Sequence, residues 1–322
     1  TVFVDGHDAT IAQSGSGRQV IVDSPTDGGR LDVSGGAGQQ EIWTGNADVH
    51  VSAAPAAVPG ASLTLLAQHG STAALSLGGE AATAINQGGT LTVSGAPGIA
   101  GGAGTATVFA EGGSTTIAGG GEALVAVMCG GDLSITAGTG NQQIFGGDRA
   151  TGSLAVMASP TASGGSQTVV DANATVFGGR TNQTIWTGTA DDVVVASNRA
   201  ADAGGHIALL VQGGTSSYWG GTESAQLDNT GGILDAFLGG DGADRIGVDM
   251  AAAGGGITIL HGFDPARDTL LLRGLPASPD VLHVSTADGA TTLAFGTSRV
   301  VFADTPAPVA SATAGGLLFG HG

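Results

Sequence analysis

Lysine is absent from this sequence: its nine basic residues are all arginine, set against 27 acidic ones, for a net charge of −18. A chain without clustered cations cannot neutralise a phosphate backbone, which excludes nucleic acid as a partner. Cysteine is down to one residue, so no intrachain disulfide forms; within Ala-Leu-Val-Ala-Val-Met-Cys129 that thiol reads as a small buried hydrophobe. Aromatic residues are 4% and charged residues 11% of the chain, too few bulky groups for a wide globular core. No apolar run approaches the ~18 residues of a membrane-spanning helix, so membrane insertion is not expected. No cleavable leader is visible, and no long segment keeps a helical period. His-Glu-x-x-His and Gly-x-Ser-x-Gly are both missing, which removes the zinc-protease and serine-hydrolase signatures. The seven histidines are scattered with no i,i+4 pair and fit surface or turn positions.

What is present is glycine, 60 residues of it, with a 41% hydrophobic fraction that argues against disorder. Glycine follows no three-residue period, which excludes collagen. Instead, short phrases recur and decay. One is apolar, Gly-Gly, five residues, apolar: Phe177 to Ile185, Trp219 to Leu227, Leu238 to Ile246 and, one residue looser, Phe145 to Leu154. A second is Gln40-Glu-Ile-Trp-Thr-Gly45, Gln142-Gln-Ile-Phe-Gly-Gly147 and Gln183-Thr-Ile-Trp-Thr-Gly188. Between the Gly turns lie short alternating runs such as Gln19-Val-Ile-Val-Asp23 and Thr90-Leu-Thr-Val93. Stacking such coils lets each strand satisfy the next and leaves edges only at the two ends. The expected class is all-β, a parallel β-helix or β-solenoid with coils of about 18–25 residues, ahead of a β-sandwich.

Three segments follow from texture: a Gly-rich solenoid with degenerate repeats over 1–230, a closing unit over 231–305, and a Pro-, Ala- and Gly-rich tail over 306–322. Within the second, Gly239-Gly-Asp-Gly-Ala-Asp-Arg-Ile246 fits Gly-Gly-x-Gly-x-Asp-x-apolar, and an apolar strand, Phe263-Asp-Pro265, Asp268 and an apolar run come after it. This resembles the RTX proteins, type I secreted Gly-rich nonapeptide-repeat proteins of bacteria. The resemblance implies a β-roll relative acting as a C-terminal cap, an extracellular or cell-surface location, and calcium between adjacent turns. Asp241, Asp244, Asp264 and Asp268 are the ligands it suggests. Only one nonapeptide is intact, so a tight Gly turn with solvated Asp stands beside the calcium reading.

Trp43, Phe145, Trp186 and Trp219, with Tyr218, form the candidate glycan platform. The same aromatics, recurring at equivalent repeat positions, equally fit a stacking ladder. Asp191 and Asp192 near Arg180 and Arg199, and Asp48 with His50, are the nearest approach to a catalytic constellation; no catalytic residue is assigned. Thr-x-Thr is too sporadic to mark an ice-binding face. The function expected is a secreted, non-enzymatic solenoid that self-associates into a fibre, matrix or surface layer. The alternatives are an adhesin or carbohydrate-binding module for cell-surface polysaccharide, and a polysaccharide lyase or epimerase on a parallel β-helix.

Overall fold

Period-two alternation with Gly turns folds as the pattern dictates. The structure is a computed structural model. It describes residues 1–5, 8–12, 16–23, 29–35, 38–52, 61–68, 70–76, 81–94, 105–118, 123–136, 138, 140–146, 153–157, 166–170, 174–179, 182–189, 191–196, 205–239, 242–252, 254–276, 282–304, 310–313 and 316–320. Among these residues every regular element is a β-strand, and no helix is long and apolar enough to cross a membrane. The chain divides into two units, Thr1–Gln167 and Thr168–Gly322, each a β-solenoid of stacked parallel strands. The stretch 231–305 therefore belongs to the second unit.

Most coils supply two strands, each pairing with the one two places on, while Ala81–Ser94 and Thr105–Ala118 run continuously through both, so every unit has two parallel faces. In the first unit, Gln19–Asp23, Gln39–Trp43, Ser62–Ala67 and the strands after them build one face. Arg30–Ser34, Asp48–Ser52 and Thr72–Ser76 build the other. Paired residues lie 18 apart in the tight coils (Leu31↔Val49, Thr105↔Ala123) and 24 apart in the longer ones (Val49↔Ala73, Ile246↔Leu270). The longer coils place their extra residues between strands, so the alternation keeps its phase; the pairing of Ala81–Ser94 with Thr105–Ala118 slips by one residue at Gly112 and recovers by Ser114.

Each five-residue strand turns two side chains into the core. On one face of the first unit the inner column runs Ile21, Ile42, Leu65, Ala84, Val108, Ala126 and Ile144; on the other it runs Val33, Val51, Leu75, Val93, Ile117 and Ile135. A core this narrow is filled by Val, Ile, Leu and Ala, which is why so few aromatics suffice. Cys129 is exposed, not buried as its apolar neighbours suggest. It lies one residue past the last inward side chain of its strand, Met128, where the chain turns the corner.

Two corners are built identically. Buried Asn86 accepts from the amides of Gly88 and Gly89, and its Nδ2 lies 3.0 Å from the Gly89 carbonyl, 3.1 Å from that of Ser114 and 3.0 Å from the Thr115 hydroxyl. Buried Asn229 accepts from Gly231 and Gly232, and its Nδ2 lies 3.0 Å from the carbonyls of Gly232 and Ile257 and from the Thr258 hydroxyl. Both Asn-x-Gly-Gly corners clip one coil to the next from inside. A side chain on Gly232 would run into Val211 and the Gly213 carbonyl.

Parallel stacking continues through Thr269–Arg273 and Ser298–Phe302 and then gives way to antiparallel strands. Gly316–Gly320 pairs with Thr269–Arg273 on one side and Ala310–Thr313 on the other. Ala290–Phe295 pairs with Ser298–Phe302 and with His283–Ala287. Phe302 meets Phe263 edge-on at 5.4 Å and Phe319 at 6.3 Å, an aromatic plug over the last coils.

Candidate functional site

Period-two strands must place every second side chain outside, and parallel in-register stacking lines those residues up. In the first unit the outward position of one face runs Phe3, Val22, Trp43, Leu66, Ile85, Phe109, Val127, Phe145, each in register with the next. All eight are apolar, and none is buried. Phe3 is 76% exposed and Trp43 41%. Eight coils at about 4.8 Å per step give a stripe of roughly 34 Å. Trp43 donates its indole N–H to Glu41, which in turn takes Arg18 at 2.8 Å, so a polar edge flanks the stripe. The opposite face carries small hydroxylic residues in the matching column: Ser34, Ser52, Ser76, Ser94.

The recurring Gln-x-Ile-aromatic phrase now has a physical reading. Gln40, Gln142 and Gln183 point inward, the Ile that follows packs in the core, and the aromatic faces out. Gln167 donates to Gln142 at 2.8 Å, an amide step inside the coil stack. Thr44 and Thr187, next in the phrase, are buried, and their hydroxyls accept the amides of Gln68 and Gln212 one coil on.

In the second unit Trp186 is 49% exposed on one face. Trp219 is exposed on the other, in a column with Phe177, Val195, Phe237 and His261. Trp219, Phe237 and His261 stack at 4.2 Å between centroids with planes within 8° of parallel. The Trp219 ring face toward Phe237 is taken up by this stack. Phe177, equally placed by the Gly-Gly phrase, joins this column although sequence reasoning passed it over. His261 also lies 3.2 Å from Asp235. Tyr218 is fully buried and is no part of a platform. The alternation that turns Trp219 out turns its neighbour in.

Tyr218 lies among acids. Burial and the charges of Asp244, Glu223 and Asp268 push its hydroxyl far above the ordinary range. Asp244 is buried, and its Oδ1 accepts the Ala225 amide at 3.0 Å. Desolvation, followed by the Asp268 charge, raises its carboxyl to about 7. Asp268, also buried and raised chiefly by desolvation, accepts the amides of Asp244 at 3.2 Å and Asp264 at 2.9 Å. Asp264 faces solvent, accepts the Ala266 amide at 3.0 Å and the Arg267 guanidinium at 2.9 Å, and is lowered by both. The structure thus brings Asp244, Asp264 and Asp268 together; Asp241 lies outside the described residues. Asp244 and Asp268 are turned onto backbone amides of the preceding coil as clips, while Asp264 is held within its own loop. Among the described residues no three acids, His or Cys are arranged to hold a metal.

The acidic candidates near the other tryptophans do not converge. Asp192 is buried and accepts the Ala174 amide at 2.8 Å. Asp191 accepts that of Thr215. Arg180 and Arg199 lie outside the described residues. Asp48 and His50 stand on the opposite face from Trp43. Compared with known proteins, the chain matches no family and no curated relative.

Proposed function

We propose that this β-solenoid is a secreted, non-enzymatic structural protein whose first unit associates laterally with further copies to build an extracellular fibre, matrix or surface layer. The observation that carries this reading is the outward stripe from Phe3 to Phe145, apolar at eight consecutive coils. Burying a contiguous apolar stripe against its like is favourable by about 25 cal/mol per Å², and exposed apolar patches of this extent mark interaction surfaces. The inner column must be apolar for the coil to fold; the outer one need not be. The antiparallel closure around Gly316–Gly320 turns association away from ladder continuation at that end and toward the sides. Export by the RTX route follows from the resemblance at Gly239–Ile246, as does calcium in the turns that contain Asp241, Asp244, Asp264 and Asp268. In β-rolls, calcium supplies cross-turn ligation.

Electron microscopy and light scattering test this reading. The wild type should form filaments, sheets or discrete oligomers. Trp43→Ser combined with Phe109→Ser should give monomers with an unchanged β-type circular dichroism spectrum. Monodisperse wild type across a hundredfold concentration range, with calcium and with chelator, would overturn it. A melting temperature unmoved by calcium would remove the metal. A second reading, adhesion to polysaccharide, is favoured by the open Trp186 side of the second unit.

A further inference from the structure

The first face of the second unit breaks its own repeat. Its outward column begins as in the first unit, with Trp186 and Leu210, and then places Asp228 and Gly247 where an apolar side chain is expected, before Leu271. Gly247, covered by the Asp228 and Arg273 side chains that its small size admits, lies at the edge of a hollow of about 280 Å³ bordered by Arg245, Leu271 and Leu318. A second hollow of about 190 Å³ around Trp186 and Leu210 shares Gln226 and Asp228 with the first. The two form one trough along the stack, four ladder steps or roughly 19 Å from Trp186 to Leu271.

Its polar groups are ordered. Asp228 accepts Gln226 at 2.8 Å and is ion-paired with Arg273, whose side chain crosses Gly247 to reach it. The Arg273 Nε is buried with no hydrogen-bond partner. Arg245, exposed beside the hollow, has no ion pair or hydrogen bond among the described residues, as is also true of the Arg299 side chain away from the trough, whereas Arg18, Arg30, Arg267 and Arg273 are all paired. In a chain of net charge −18, two guanidinium groups at one hollow, one of them unpaired, favour an anion there. The trough lies on a sheet face whose backbone is consumed by the ladders, so a peptide cannot add as a strand. Recognition falls to side chains: an aromatic face, an amide, hydroxyls of Thr184 and Thr269, and guanidinium groups.

We infer that this trough binds a carboxylated oligosaccharide, a run of uronic acid residues, with one sugar ring on Trp186 and a carboxylate on Arg245. The inference rests on the adhesion reading. Isothermal titration with α-1,4-linked tetragalacturonate, tetramannuronate and the methyl ester of the former tests it. Saturable binding of an acid form, at least tenfold weaker in Arg245→Gln and in Trp186→Ala, lost on esterification and unchanged in Arg299→Gln, is the expected result. Binding that Arg245→Gln leaves intact, or equal binding of the methyl ester, overturns the trough while leaving adhesion standing. No saturable binding of either acid overturns both. Arg245 has no partners to lose, so its variant should fold as wild type by circular dichroism.

Discussion

The same outward column reads differently in the two units, and the difference separates what the fold requires from what it permits. In the first unit it is apolar from Phe3 to Phe145. In the second it starts as Trp186 and Leu210 and then becomes Asp228 and Gly247. Inside, the two units use one vocabulary: buried Ile after buried Gln, buried Thr at the turn, and the Asn-x-Gly-Gly corner. Packing dictates the inner residues, so they recur wherever the coil recurs. Nothing in the coil dictates the outer ones.

The largest effect should come from the shared interior. Asn86→Ala and Asn229→Ala each remove a side chain that satisfies one buried and one half-buried Gly amide and bridges to the following coil. Leaving such groups unpaired costs about 3 kcal/mol or more. If the interiors are equivalent, denaturant unfolding should show the two losses within about 1 kcal/mol of each other. A corner that tolerates alanine would mean that the coils of that unit hold by packing alone.

A smaller effect should distinguish the units by pH. The clip at Asp244 is particular to the second unit, where Asp268, Glu223 and Tyr218 face it and Arg267 lies nearby. Its folded-state value of about 7 lies above that of an unfolded Asp. Between roughly pH 4 and 7 the native state therefore holds a proton that the unfolded state has released. Stability must rise as pH falls from 8 to 5.5, by on the order of 1 kcal/mol from this group. Asp132, held down by the Ser153 amide and hydroxyl, works in the opposite sense: its contribution is present above the ordinary Asp range and fades in stronger acid. In chelator, thermal melting of the wild type should move upward on acidification to pH 5.5. Asp244→Asn should be flatter and more stable than wild type at pH 8. An identical pH profile in the variant would mean that the site is wetter than its burial indicates.

Much of this was legible before any coordinates. Period-two runs between Gly-Gly turns imply stacked coils, and pairings 18 to 24 residues apart match the spacing of the turns. The columns were half legible. Trp43, Phe145 and Trp186 were visible as equivalent positions, whereas Trp219, read as one of them, stands on the other face, because a column is defined by register across coils of unequal length. Leu66, Ile85 and Val127 therefore gave no signal that they continue the stripe. Tyr218 was misassigned because proximity to Trp219 in sequence says nothing about which face a side chain takes; parity does. Asn86 was legible only as part of a turn, since its partner Thr115 lies a coil and a corner away. The trough was illegible because it begins with an absence: Gly247 looks like any other glycine until the column on either side of it is known.

That glycine allows the smallest and most pointed test. Gly247→Val would restore an apolar residue to the outer column and make the second unit resemble the first. A Cβ there presses on the ends of the Asp228 and Arg273 side chains, which are flexible and can swing away. Valine also suits a strand better than glycine. Loss of the Asp228–Arg273 pair, partly exposed to solvent, costs little. The net change in stability should stay within about 1 kcal/mol, while uronate binding at Arg245 should fall with the hollow filled. Because the first unit's stripe is untouched, lateral association should proceed as in the wild type. A variant that binds tetragalacturonate unchanged would show that the break in the column is incidental to recognition; one that loses assembly as well would show that the two outer surfaces are not independent.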